Sequence, residues 1–320
     1  MSTTKLIKNR DEMQEKFNPK REKAMKVEES FVRLEMYERA ERLHNCSAWL
    51  KFAECPNRDG FRKLIGASFC RDRLCPMCNW RRSKMHAGQI LKMLHVAQER
   101  RPKMKYIFLT LTVRNVTEDK LSAELDRIYE GYRLMFDKLV INRSILGWIR
   151  NLEITYNAGE DTYHPHFHVL IGVSAEYFTN DYISQSLCTH MWGHFCKLDY
   201  TPVVHIQRVK PKREDQTCEA AVLETAKYSV KDSDYIKQDE YQTDKLVEVF
   251  ARVLHGRRLI GFGKLFKKIR AELKQQDLNR DDADLVGADG QGCQCPICSS
   301  TLIETLYSWD FISRLFREKK

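Results

Sequence analysis

Three histidines at alternate positions, His164, His166 and His168 in YHPHFHVLIG, have the spacing that most plainly serves chemistry. In an extended strand alternate side chains share one face, so the three imidazoles form a row. Upstream, Glu153 and Thr155 alternate with Leu152 and Ile154, and the turn-forming NAGED lies between the two runs. Folding them into a hairpin centred near Gly159 and Glu160 sets Glu153 opposite His166, with His168 a neighbour on the same face. Imidazole nitrogens and a carboxylate without thiolate suit a divalent cation of the Mg, Mn, Co or Zn kind, with positions left open for substrate oxygens. The plain alternative, a half-exposed histidine strand, does not account for the carboxylate opposite it.

A second stripe lies in CEAAVLETAKYSVKDSDY, where Glu224, Tyr228 and Lys231 are spaced i, i+4, i+7 and so share one face of a helix expected over residues 216–231. A tyrosine oxygen beside a cation can attack a phosphate, and Lys227 and Lys231 would add positive charge for it. On its own such a stripe reads equally as solvated ion pairs. Following a metal site on a sheet, it reads as a phosphoryl-transfer arrangement. Tyr235, seven residues on, is a second tyrosine, but Asp232, Ser233 and Asp234 are expected to interrupt the helix and turn it away.

The chain carries 11 cysteines. Cys70, Cys75 and Cys78 have Cx4C and Cx2C spacing, which points to a structural Zn whose fourth ligand is Cys46, Cys55 or His44. Arg81, Arg82 and Lys84 follow directly, placed either for DNA phosphates or for solvent. Cys293, Cys295 and Cys298 in CQCPIC supply at most three thiolates with no histidine after them. They form a second Zn set that borrows a ligand from elsewhere in the fold or is shared between protomers, or an exposed thiol cluster. Cys188, Cys196 and Cys218 read as small buried hydrophobes.

The elements that position these residues alternate. YIFLTLTV (106–113) is a strand with Thr110 and Thr112 on one side and Leu109, Leu111 and Val113 on the other. A helix over 118–140, the hairpin strands 147–156 and 166–173, a helix near 181–196 and a strand near 203–209 complete a β-α-β-β-α-β order, the split βαβ or ferredoxin-like arrangement. Helix with a break at Gly261 and Gly263 is expected over 243–273. The expected class is α+β, with an antiparallel sheet domain, an N-terminal helical and zinc-binding module, and a C-terminal helical extension. Four segments are expected: a helical 1–45, a zinc-binding 46–100, a sheet domain with helical extension at 101–275, and a linker with a cysteine-containing tail at 276–320.

The 54 Lys and Arg against 44 acidic residues, net +10, favour a polyanionic partner without choosing between DNA, RNA and membrane. The charged opening MSTTKLIKNRDEMQEKF offers no signal sequence, and no apolar run reaches membrane-spanning length. A soluble, cytoplasmic protein without membrane partners is therefore expected, in a compartment where clustered thiols serve as metal ligands.

These motifs together resemble the HUH endonuclease superfamily, in particular the rolling-circle replication initiators of small Gram-positive plasmids. FLTLTVRN (108–115) is similar to the family's first motif, HPHFHVLIG (164–172) to its histidine motif and ETAKYSVK (224–231) to its nucleophile motif. The resemblance spans roughly residues 40–270 and implies His166 and His168 as metal ligands with Glu153 a third, and Tyr228 as nucleophile. It also implies that Glu224 activates water in a terminating cleavage and that Cys46 completes the zinc set. It further implies Mg or Mn at the active site, origin DNA as substrate, host helicase and polymerase as partners, and a 5′-phosphotyrosine intermediate that leaves a 3′-hydroxyl primer. A related HUH transposase or mobilisation relaxase is the nearest alternative, although relaxases place the tyrosine before the histidines. A non-catalytic zinc-stabilised DNA-binding regulator is the alternative from another class.

Overall fold

Runs of aliphatic, aromatic and β-branched residues from Lys105 onward build a five-stranded antiparallel sheet in the order β6-β3-β5-β4-β7, where β3 is Lys105–Thr112, β4 Ile145–Asn157, β5 Thr162–Val173, β6 Val204–Val209 and β7 Ile260–Gly263. The computed structural model describes residues 13–58, 61–139, 142–209, 225, 229–280, 284–287 and 294–319. Two units divide the chain: Met1–Met85 with Tyr235–Arg252 and Arg280–Lys320, and His86–Asp234 with Val253–Asn279. Both sheets are antiparallel and helices accompany each, so the class is α+β.

In the second unit the expected order of elements is found, with α4 (Glu118–Leu139) after β3 and α5 (Gln185–Phe195) between β5 and β6. One sheet face is largely apolar, with the buried Arg150 guanidinium of β4 lying over the Tyr129 and Phe167 rings at 4.6 and 4.8 Å. Phe167 on this face meets the rings of Tyr129 and Tyr132 from α4 and Trp192 from α5 at centroid distances of 5.2, 5.2 and 6.2 Å. The two helices can approach closely because α4 carries Gly131, where a Cβ would stand 2.2 Å from Cys196 Sγ. Cys188 and Cys196 are buried, as expected of small hydrophobes, and burial pushes their thiols up to about 11 and about 12.

The opposite face changes character along its length. Tyr106, Phe108, Ile149, Leu170 and Ile260 form a core there with Ile90, Met93 and Leu94 of α3 (Pro76–Arg100) and with Phe266 and Ile269 of α8 (Lys264–Glu272). From Thr110, His168 and Asn151 onward the same face is polar. The helix expected over 243–273 is two helices, α7 (Glu240–Val253) and α8, and the break between them is β7, a strand hydrogen-bonded to β4. In the IGFG of β7, Trp148 lies over Gly263, where a Cβ would fall 2.0 Å from its ring, and a Cβ at Gly261 would stand 3.3 Å from the Arg150 guanidinium.

In the first unit, α1 (Asn18–Arg33) starts with a proline in its first turn and packs against α2 (Tyr37–His44). The buried Arg21 of α1 donates to the Leu43 and His44 carbonyls at 3.1 and 2.7 Å, satisfying acceptors that the end of α2 leaves open. A four-stranded sheet follows in the order β2-β1-β8-β9, with β1 Trp49–Glu54, β2 Arg62–Ala67, β8 Ile303–Asp310 and β9 Leu315–Lys319. The segment read as a tail therefore supplies two strands, and β8 lies alongside β1 with Leu50 opposite Tyr307. Phe17 joins the layers, its ring 5.4 Å from Phe52, 4.9 Å from Trp80 and 6.4 Å from Phe316.

Asp232, Ser233 and Asp234 form with Tyr235 a short helical segment of their own, α6, set off by the non-helical Ser229, Val230 and Lys231. Most of the helix expected over 216–231, including Cys218, lies outside the described residues.

Candidate functional site

The register of the β4–β5 hairpin places the expected residues directly. Glu153 pairs with His166, Asn151 with His168 and Thr155 with His164, and β3 adds Thr112 opposite His166 and Thr110 opposite His168. The hairpin turns at 158–161, where Asp161 takes a left-handed φ of 52°, a conformation that Asp tolerates better than most residues. Cross-strand pairs share a face, so two imidazoles and a carboxylate converge. Their ligand atoms all lie within 4.8 Å of one another.

Glu153 Oε2 is 3.1 Å from His168 Nε2 and 3.5 Å from His166 Nε2. Ligands held at about 2.1 Å from one cation at right angles would be about 3 Å apart, so the set needs little adjustment to hold one. The Nδ1 of His166 donates to the His164 carbonyl at 3.2 Å, so Nε2 faces Glu153 as a lone pair on the neutral ring and as a donor on the protonated one. Thr110 Oγ1 lies 3.3 Å from Nδ1 of His168, and the Phe108 ring stacks on that imidazole at 5.5 Å. His166 and His168 are each 9% exposed and Glu153 is 3% exposed.

Lys231 joins this group, its Nζ 2.8 Å from Glu153 Oε1. Past the end of β7, the amide of Ile154 donates to the Ser229 carbonyl at 2.7 Å, and this bond ties the segment carrying Lys231 to β4. Burial alone pushes the Glu153 carboxyl up. Hydrogen bonds from His166, His168 and Lys231 outweigh it and hold the group well below the usual carboxylate range. His164 stands apart from the convergent set: its ring centroid is 5.2 Å from that of His166, and burial followed by the His166 charge lowers its pKa.

Glu224, Lys227 and Tyr228 lie outside the described residues. Tyr235, the second tyrosine, is fully buried and its hydroxyl donates to the Leu74 carbonyl at 2.8 Å, which commits it to packing. Sequence reasoning passed over Asn151 and His205. Asn151 shares the β4 face of Glu153, and His205 lies opposite Thr110 on β6, extending the polar row across four strands. The alternation of His205 with Val204 and Ile206 carried that signal.

In the first unit, Cys46, Cys70, Cys75 and Cys78 form one buried set. Sulfur separations of 3.5 Å for Cys46–Cys75 and 3.6 Å for both Cys46–Cys78 and Cys70–Cys78 are far longer than a disulfide. They approach the edge of about 3.8 Å that 2.3 Å metal–sulfur bonds give a tetrahedron. Burial pushes the Cys70 and Cys78 thiols up, whereas Cys75 accepts hydrogen bonds from the other three and is held well down against its own burial. Four buried sulfurs that cannot all ionise alone are a donor set that fits a thiophilic dication. Of the three candidates for fourth ligand, Cys46 is the one in the set. His44 bonds Glu28 at 2.8 Å, and Cys55 gathers with Cys295 and Cys298. Cys293 lies outside the described residues.

The basic residues beyond this set differ in what they can reach. Arg81, expected either at DNA phosphates or in solvent, is 1% exposed and donates to the Leu285 and Val286 carbonyls at 3.1 and 2.9 Å, so its guanidinium serves the interior. Arg82 donates to Asn79 Oδ1 and the Arg71 carbonyl, both at 2.8 Å. Lys84 is exposed, with Nζ 4.7 Å from the Trp80 ring centroid. No helix among the described residues is long and apolar enough to cross a membrane.

Fold and clusters together define an α+β protein whose sheet face and cysteine set each offer a place for a metal ion. The chain belongs to the replication-protein family whose model matches residues 61–316. A "Protein rep" of Bacillus amyloliquefaciens is 42% identical over 258 residues, covering 76% of each chain. One of Streptococcus pneumoniae is 36% identical over 76% of this chain and 74% of its own. A third, of Lactiplantibacillus plantarum, is 33% identical over 86% of both. No solved structure matches.

Proposed function

We propose that this protein initiates plasmid rolling-circle replication as a metal-dependent DNA-nicking enzyme of the HUH type, with the chemistry in residues 101–275 and origin docking aided by residues 46–100. The observation that carries this reading is the convergence of Glu153, His166 and His168 with Lys231 Nζ 2.8 Å from the carboxylate. The β-α-β-β-α-β order of an antiparallel sheet supports a ferredoxin-like domain.

His166, His168 and Glu153 would hold a Mg or Mn ion, which when bound supplies Lewis-acid charge to a phosphate oxygen. Glu153 meets it ionised, because the Lys231 ammonium and the neighbouring imidazoles favour the carboxylate. His166 meets it through Nε2, because the His164 carbonyl holds its Nδ1 proton. The Lys231 ammonium adds positive charge where negative charge builds on the phosphoryl oxygens, and Lys227 adds a second charge by its place in the motif.

Tyr228 is the nucleophile. Its oxygen forms a bond to phosphorus while the bond to the 3′ oxygen breaks, and that oxygen leaves with a proton as the 3′-hydroxyl that primes host polymerase. The 5′-phosphotyrosine link conserves the phosphodiester, so rejoining needs no ATP. Glu224 activates the water that ends a round. The attacked strand enters unpaired, which favours an extruded origin and a host helicase beyond it. Cys46, Cys70, Cys75 and Cys78 hold a structural Zn.

Incubation of the protein and Mn or Mg with its own supercoiled replicon tests the reading. A nick whose 5′ end is linked to the peptide containing Tyr228 is expected, and Tyr228→Phe gives no adduct. Glu224→Ala still nicks but leaves displaced strands that overrun the origin or stay protein-linked. Specific origin binding with no cleavage under any divalent cation would establish the non-catalytic regulator instead.

A further inference from the structure

Cys55, Cys295 and Cys298 come together in the first unit, although they lie far apart in sequence. Cys55 follows the last residue of β1, and its amide donates to the Phe61 carbonyl at 3.0 Å, closing the loop that leads into β2. Cys295 and Cys298 sit on a tight turn braced at both ends: the Cys295 amide donates to the Ser300 carbonyl at 2.9 Å and the Ser299 amide to the Cys295 carbonyl at 2.8 Å. The turn is tied to the Cys55 loop by a bond from Asn57 Nδ2 to Ser300 Oγ at 2.8 Å. Two backbone loops thus present sulfur to one point beside the place where Glu54 pairs with Ile303.

The sulfurs of Cys55 and Cys298 are 3.4 Å apart, and the three ligand atoms lie within 4.8 Å of one another. That separation exceeds a disulfide by well over an ångström and is near a tetrahedral metal–thiolate edge. Cys295 is 1% and Cys55 8% exposed, packed with Ala53, Leu302 and Phe61, whereas Cys298 is exposed. A shielded pair with one ligand facing solvent leaves room for water as a fourth ligand.

We propose that Cys55, Cys295 and Cys298 form a second thiolate site for a zinc-class dication, which fastens the 294–301 turn to the end of β1. It is separate from the Cys46 set and shares no ligand with it. Metal binding replaces three thiol protons with three sulfur–metal bonds and releases the protons to solvent. No oxidant or reductant takes part.

Metal content of the full-length protein, purified under reducing conditions and dialysed against a mild chelator that strips nitrogen–oxygen sites, tests the proposal. Wild type is expected to carry two equivalents of Zn. Cys55→Ser, or Cys298→Ser at the exposed position, is expected to carry one, and Cys75→Ser reads the other set independently. Substitution with Co(II) gives thiolate charge-transfer absorption, which should fall in the Cys298→Ser protein without vanishing. Unchanged Zn in both Cys55→Ser and Cys298→Ser overturns the proposal. So does a Cys55–Cys298 disulfide found by mass mapping under the same reducing conditions. Loss of Zn only in Cys75→Ser overturns it as well, while leaving the first set intact.

Discussion

The Cys46 set and the Glu153 set gather their ligand atoms equally closely but differ in number and surroundings. Four sulfurs, none more than 8% exposed, complete a tetrahedron and leave nothing for a substrate to bind. Three nitrogen and oxygen ligands on a sheet face leave coordination positions unfilled, with the half-exposed Lys231 ammonium beside them. On the proposed reading the closed set serves folding and the open one serves reaction. The two regions should therefore respond in opposite ways to the same kind of damage.

The largest effect expected is on folding. Cys75→Ser, or removal of Zn by a strong chelator, should cost the first unit on the order of 10 kcal/mol, enough to unfold it. Circular dichroism and proteolysis read this directly, and single-stranded DNA should still be cleaved. If the treated protein melts as before, the closed set does not support the fold.

His168→Ala should do the reverse, lowering nicking by about 10³-fold or more while moving the melting temperature by only a few degrees. Duplex binding by gel shift should persist. Robust cleavage by both His168→Ala and His166→Ala would end the metal assignment at the sheet.

A smaller contrast separates two neighbouring cations. Arg81→Ala strands the Leu285 and Val286 carbonyls and should cost about 1–3 kcal/mol of stability, whereas Lys84→Ala, losing an exposed contact with the Trp80 ring, should cost less than about 1 kcal/mol. Lys84→Ala should instead weaken duplex binding less than tenfold and reduce its salt dependence. The opposite pattern would place Arg81 at the DNA.

The smallest effect concerns pH. Because the folded Glu153 carboxyl lies below its ordinary value, its contribution is fully present above about pH 4.3 and is lost as pH falls through the folded value. Metal-free wild type should exceed Glu153→Gln in urea stability by on the order of 1 kcal/mol at pH 7. The gap should shrink below pH 4. A gap that widens on acidification contradicts the sign.

Much of the sheet site was legible because a hairpin is local. One turn and the period of two set Glu153 opposite His166 without knowledge of the rest of the fold. The change of the same face from polar to apolar was not legible, since it depends on where α3 and α8 lie. Strand β7 was missed because IGFG has two glycines and gains its place from β4 and Trp148. Short strands such as WLKFAE and RKLIGA carry weak patterns, and their partner β8 lies near the other end of the sequence. For the same reason Cys55 could not be told from Cys46 as a zinc ligand by spacing alone.

The pairing of Leu50 with Tyr307 also sets a timetable for synthesis. At about 5–20 residues per second, roughly 10–50 s pass between translation of β1 and translation of β8. During that interval β1 has β2 on one edge and nothing from its own sheet on the other. The five-stranded sheet of the second unit is translated in full within the same interval, so the nascent chain can finish its later-starting unit first. An unpaired strand edge is a template for association with other chains, and here the later-made β8–β9 hairpin is what covers it.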